Sequence, residues 1–226
     1  MYFTSALVAA VALALPALAV NPSMNVPACP KKGSVKGFGT VPSTDKTGFA
    51  RTQVDLCYTA TNLSITFTAY DETNFFTNKS LGTNGDIWAY EVMEAFIYHG
   101  TNDPATYLEL EVSPANVTFQ SFVYNPSKVR APGTPFDHGF LDGPTDGIVS
   151  TTALNKRAKT WTSTLTVPLL LFNVDDGKAS GTQWRMNFFR TITSSSTYPN
   201  QTLGAWSPPD TASFHVTPYF GYVNFV

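Results

Sequence analysis

Leu63-Ser-Ile-Thr-Phe-Thr-Ala-Tyr70 sets large or apolar side chains at 63, 65, 67 and 69 against Ser64, Thr66, Thr68 and Tyr70. A period of two sends successive side chains to opposite sides of an extended chain, so this is a half-buried strand with one wet face. The same alternation returns downstream. Leu108, Leu110 and Val112 alternate with Tyr107, Glu109 and Glu111, and Trp161, Leu165 and Val167 alternate with Thr162, Thr164 and Thr166. Residues 91–98, 117–124, 184–192 and 219–225 are rich in aromatic and β-branched side chains and read as further strands.

Turn chemistry separates these runs: Asn102-Asp-Pro104, Ala131-Pro-Gly133, Asp142-Gly-Pro144, Asp175-Asp-Gly177 and Ser207-Pro-Pro-Asp210. Sixteen prolines and no sustained helical period exclude a helical domain. Pro168-Leu-Leu-Leu-Phe172 is a candidate for one helical turn opened by proline. The expected fold is all-β, an antiparallel β-sandwich of jelly-roll or immunoglobulin-like kind with a few short helical turns.

Met1 to Val20 carries no charged side chain, holds an apolar run from Ala6 to Leu15, and ends on Ala17-Leu-Ala19. That pattern reads as a secretory signal peptide over residues 1–19, too short to span a bilayer. Residues 20–50 are then expected to form an irregular N-terminal arm and first loop, and residues 51–226 one sandwich domain. No later segment is long and apolar enough for an anchor, so a soluble, extracellular monomer is expected.

Cys29 and Cys57 are the two cysteines. In an oxidising compartment they read as one disulfide worth about 3–4 kcal/mol, two free buried thiols being the other reading. Asn62, Asn78, Asn116 and Asn200 each stand in an Asn-x-Ser/Thr sequon and are candidate glycosylation sites. Charge is low and balanced, with 14 Lys+Arg against 16 Asp+Glu, which argues against nucleic acid and anionic membrane as partners. Aromatic residues, at 14%, outnumber charged ones, at 13%. Such a surface suits partners with apolar faces, such as sugar rings.

Five pieces in order carry a resemblance. They are Leu63 to Glu72, Trp88-Ala-Tyr-Glu-Val-Met-Glu94 with its following strand, Tyr107 to Pro114, Trp161 to Pro168, and Trp184 to Arg190 followed by Ala205-Trp-Ser-Pro208 and Phe214 to Gly221. Together they resemble the family nine carbohydrate-binding modules over roughly residues 51–226, most nearly the free-standing members. The resemblance implies a sandwich that grips a glycan end, of plant-cell-wall type, between two aromatic rings. It places Trp88 as the first stacking ring, Phe214 as the second in place of a tryptophan, and Glu94 as the hydrogen-bonding acid. A phenyl ring offers a smaller face and no N–H donor, and Thr211 stands three residues before it where an amide is expected. Calcium held near Asp71-Glu72 and Asp86 is a further implication, with solvated acidic turns as the other reading.

The chemistry agrees with sugar binding on its own terms. A pyranose presents C–H groups on its face and hydroxyls around its rim, which an aromatic ring and a carboxylate can cover. One straight strand from Trp88 to Glu94 would part their Cα atoms by about 20 Å. Sharing one sugar therefore requires a bend after Trp88, near Gly85-Asp86. Glu94 alternates with Val92 and Phe96 on an apolar face, so a structural ion pair with Arg185 or Arg190 competes with a ligand role.

No enzyme is expected. Glu109 and Glu111 stand about 7 Å apart on one strand face, but a wet face would not raise either pKa to that of a general acid. Glu91 and Glu94 point to opposite faces. His99, His138 and His215 accompany neither a Gly-x-Ser-x-Gly nor a His-Glu-x-x-His motif. The alternatives kept beside carbohydrate binding are a hydrolytic or hydrolase-associated protein, a haem-binding sandwich using Met93, Met186 and a histidine, and a wall protein without a small ligand.

Overall fold

A computed structural model describes residues 21–43, 48–143, 145–174 and 176–226. The expected leader lies outside the described residues. The strands in chain order are β1 (Ser23–Val26), β2 (Gly33–Lys36), β3 (Gly39–Val41), β4 (Thr52–Tyr58), β5 (Asn62–Ala69), β6 (Val92–His99) and β7 (Thr106–Val112). Then follow β8 (Thr118–Tyr124), β9 (Asp137–Phe140), β10 (Val149–Asn155), β11 (Thr160–Pro168), β12 (Gln183–Ile192), β13 (Thr202–Ala205) and β14 (Gly221–Phe225). The helical content among these residues is three 3-10 turns, Ile87–Ala89, Leu169–Phe172 and Thr217–Tyr219.

Two sheets result. One runs β10-β11-β5-β4-β2; the larger runs β1-β14-β12-β6-β7-β8-β9, with β13 hydrogen-bonded to β12 and β3 to β13. Every strand pair is antiparallel except β1 with β14. The deciding stretch is central in the smaller sheet, with Ile65 opposite Leu165 and Phe67 opposite Ser163. Its alternation is realised residue by residue: Leu63, Ile65, Phe67 and Ala69 are fully buried while the hydroxyl residues between them are half-exposed.

Met93, Ala95 and Ile97 of β6, Leu108, Leu110 and Val112 of β7, and Met186 and Phe188 of β12 meet that face to close the sandwich core. Trp161, Trp184 and Trp206 are buried there as well. Gly221 opens β14 because a Cβ would fall 2.3 Å from the Trp206 ring.

The larger sheet is covered on its outer side too. Phe96, Tyr107, Val123, Phe189 and Phe220 form a second apolar cluster there. The segment returning from β13 to β14 contributes Phe220 and, half-buried at the margin, Phe214. This corrects the expectation of a wet outer face on Tyr107-Leu-Glu-Leu-Glu111, since Tyr107, Glu109 and Glu111 are all buried. Period two reports which residues share a face, not whether another layer covers it.

The N-terminal stretch is also more ordered than expected. β1 pairs in parallel with β14, Met24 beside Val223, and β2 and β3 extend the two sheets. Four residues are too few to show a period, and β1 finds its partner near the far end of the chain. Cys29 and Cys57 are joined by a disulfide across a separation of 28 residues. The Cys29 N–H donates to the Tyr58 carbonyl at 2.9 Å beside it. All four sequon asparagines reach the surface, Asn116 and Asn200 exposed and Asn62 and Asn78 half-buried.

Candidate binding cavity

The outer face of the larger sheet carries a cavity of about 380 Å³, within the usual range of about 300–1,000 Å³ for small-molecule sites. Trp88, Glu94 and Phe214, distant in sequence, all line it. Trp88 sits in the Ile87–Ala89 turn, anchored by buried Ile87. Its carbonyl accepts a hydrogen bond from Gln201 Nε2 at 2.7 Å. That turn is the bend the shared site required, because β6 begins only at Val92. Trp88 is 52% exposed, so it is not a core residue. Phe214 rests on buried Phe189, ring centroids 4.2 Å apart at 20°, and stays half-buried where it meets the cavity.

The floor is carboxylate. Glu94 on β6 lies directly opposite Glu111 on β7, and Glu109 shares that face two residues away. The three are 3%, 4% and 2% exposed for Glu94, Glu109 and Glu111. One oxygen from each lies within 4.8 Å of the others. Burial, and then the Glu109 charge, push the Glu94 carboxyl well above the usual carboxylate range. Burial, then the charges of Glu94 and Glu109, do the same to Glu111. Oε2 of Glu109 and Oε2 of Glu111 are buried without a hydrogen-bond partner.

Among the described residues no arginine pairs with Glu94. Arg185 instead pairs with Asp103 at 2.6 Å and donates to the Phe220 carbonyl. Arg190 pairs with Glu72 at 2.7 Å. Glu72 also accepts from the N–H groups of Asn74 and Phe75, so one member of the acidic turn considered for calcium is already engaged. Thr211 is exposed and does not line the cavity.

Two histidines flank the floor. His138 Nε2 is 3.5 Å from Glu109 Oε2, and His215 Nε2 is 3.9 Å from Glu109 Oε1. His215 Nδ1 meets the Tyr107 hydroxyl at 2.6 Å. Burial pushes His215 down to about 4, so it is neutral near pH 7. His138, carried on edge strand β9, stands among Phe119, Phe136 and Phe140 as an aromatic wall. Arg130, whose guanidinium caps the Phe136 ring at 4.5 Å, is the single arginine or lysine among the described lining residues. Met93 and Met186 belong to the sandwich core on the other side of the sheet, which removes the thioether from the haem alternative.

The sequence-derived trio thus meets in one place, while the rest of the floor and wall went unassigned. Glu109 and Glu111 were visible as an acidic pair and set aside as wet. His215 adjoins Phe214 but has no motif, and His138 and Phe140 sit on a four-residue strand without a readable period.

No protein-family model matches the chain. An "Extracellular protein" from Arthroderma benhamiae is 53% identical over 211 residues, covering 93% of each chain. The chain belongs to the family of that extracellular protein. Among solved structures, the chain superposes on one from Bacteroides uniformis described as carbohydrate-binding, with a TM-score of 0.66 at 15% identity, covering 91% of this chain and all of the other. It also superposes on a family nine carbohydrate-binding module from Caldicellulosiruptor kristjanssonii in complex with glucose, at TM-score 0.59 and 13% identity, covering 90% and 95%. The cellotriose complex of such a module from the same organism gives 0.56 and 13%, covering 90% and 93%. These likenesses establish the sandwich fold.

The chain buries another acid in Glu91. Glu91 accepts from the Phe76 N–H at 2.8 Å and from Asn74 Nδ2 at 3.3 Å. Burial, then the charge of Glu72, push it up to about 8. With a folded pKa above the unfolded one, the native state holds the proton longer, so Glu91 lowers stability as pH rises from about 4.5 to 8. Glu91→Gln is expected to remove up to about 1 kcal/mol per pH unit of that slope, read from urea midpoints of both proteins at pH 5 and 8.

Proposed function

We propose that the protein binds the end of a saccharide, non-catalytically, in this cavity. Trp88 and Phe214 cover the C–H faces of the sugar, and Glu94 accepts hydrogen bonds from its hydroxyls. The observation that carries the reading is that a half-exposed tryptophan, an aromatic ring and a buried carboxylate without an arginine partner line a single cavity. An exposed indole costs less apolar hydration once a pyranose covers it. The neighbours that share this fold, recorded with glucose and with cellotriose, support β-linked glucose units of plant-cell-wall type as the first ligands to try.

Hydrolysis is the weaker reading. The two-carboxylate mechanisms place their acids on opposite sides of the scissile bond, about 5–9.5 Å apart. Here all three acids crowd one sheet face with oxygens within 4.8 Å of one another, not on facing walls of a cleft.

The test is a tryptophan-fluorescence titration of the secreted chain with cellobiose, xylobiose and their sugar alcohols, alongside Trp88→Ala. Saturable change is expected in the parent, with affinity roughly 30-fold lower in the variant, the effect of losing an anchor worth about 2 kcal/mol. Loss of binding with the sugar alcohols identifies the reducing-end ring as the gripped unit. A parent that responds to none of these sugars, while remaining folded, overturns the reading.

A further inference from the structure

We propose that Glu94, Glu109 and Glu111 hold one calcium ion on the cavity floor, and that hydroxyls of the bound saccharide complete its coordination shell. The second half rests on the saccharide reading; the first does not. Three observations carry it.

The first is distance. Calcium binds oxygen at about 2.3–2.6 Å, so ligand atoms around one ion lie at most about 5 Å apart. The three carboxylates offer oxygens within 4.8 Å of one another, so a point between them lies at most about 2.8 Å from all three, close to that bonding range. The second is the unpaired atoms. Glu109 Oε2 and Glu111 Oε2 are buried without a hydrogen-bond partner, on side chains that are more than nine-tenths buried. Buried carboxylate oxygens are normally paired or metal-bound. The third is the shortage of counter-charge among the described residues. Arg185 and Arg190 are committed to Asp103 and Glu72. Arg130 makes no ion pair with the floor, and the two imidazoles, His138 Nε2 at 3.5 Å and His215 Nε2 at 3.9 Å, both lie against Glu109 alone of the three acids.

The donor set decides the ion. The atoms in mutual reach are all carboxylate oxygens, which suits a hard cation rather than copper or zinc. Calcium takes six to eight oxygens in irregular geometry, whereas magnesium demands a near-ideal octahedron. Three side chains therefore leave positions open toward the cavity, where vicinal hydroxyls of a sugar are the matching ligands. In this arrangement Trp88 and Phe214 set the ring's pose and the ion reads its hydroxyl pattern.

The closing experiment uses the full secreted chain stripped with EGTA. Calorimetric titration with calcium chloride is expected to show one ion per chain and a raised melting temperature. Glu94→Gln and Glu111→Gln should weaken uptake roughly 100-fold or more, within the span of known calcium affinities. Each also removes a repelling charge, so each should melt no lower than the parent in EGTA, which keeps the comparison between folded proteins. A parent that takes up no calcium at millimolar concentration, or uptake untouched by both substitutions, overturns the assignment. Cellobiose titration with and without EGTA separates the two halves. Affinity roughly tenfold lower in EGTA supports the bridging ion. Equal affinity overturns it and leaves the saccharide reading standing, whereas calcium uptake by a chain that binds none of the sugars overturns the saccharide reading and the bridging half with it, and leaves the ion site standing.

Discussion

Arg190→Met is expected to lower the unfolding free energy by about 3–5 kcal/mol, the loss typical when one partner of a buried ion pair is removed. Arg190 lies on β12 in the larger sheet and is 1% exposed. Its guanidinium crosses the sandwich to Thr52 Oγ1 on β4 at 3.1 Å and to Glu72 beyond the end of β5 at 2.7 Å. Burial alone would raise the Glu72 carboxyl, but the Asn74 N–H and the Arg190 charge outweigh it and hold Glu72 below its ordinary range. Without the cation, Glu72 is a buried anion beside Glu91, and both must be protonated or drag water inward. Urea denaturation of parent and variant at pH 7 measures the loss. The double change Arg190→Met with Glu72→Met should recover most of it, because two well-packed apolar groups replace a pair whose desolvation offsets much of its attraction. A single variant within about 1 kcal/mol of the parent would mean the pair is solvated on the timescale of unfolding.

The second large effect belongs to the disulfide. Cys29→Ser with Cys57→Ser opens a loop of 28 residues, and the chain-entropy relation puts the loss at about 3–4 kcal/mol. The native side suffers too. β1 and β2 are four residues each and lie at the edges of the two sheets, so the tie at Cys29 fixes both at once. The loss is read as the difference in guanidinium midpoint between the parent and the double variant, each without reductant. Equal midpoints would show that the pairing of β1 with β14 and of β2 with β4 holds this region unaided.

Which parts of this structure the sequence could show follows from the range of the forces involved. β5 and β11 were legible because burial on one face writes a period of two into eight or nine neighbouring residues, and nothing else is needed to read it. Trp88, Glu94 and Phe214 were legible through a resemblance, and the turn at Ile87–Ala89 supplies the bend that local spacing demanded. What escaped was long-range. The acid that answers Arg190 is Glu72, 118 positions away, whereas the alternation of β6 pointed to Glu94 because that acid stands on an apolar face. Glu109 and Glu111 alternate like solvent-facing residues, and distant chain covers their face: the segment returning from β13 to β14 together with the aromatic wall around His138. A pairing or a covering layer built from distant chain leaves no periodic trace.

The cavity divides its labour between the middle and the margin of one sheet. Its floor stands on β6 and β7, each held by a strand on both sides, while its aromatic wall stands on β9, a four-residue strand held on one side only. Substitutions at His138 or Phe140 therefore act on a segment whose pairing supports nothing beyond it, whereas each floor glutamate abuts two others and cannot change without altering their charge.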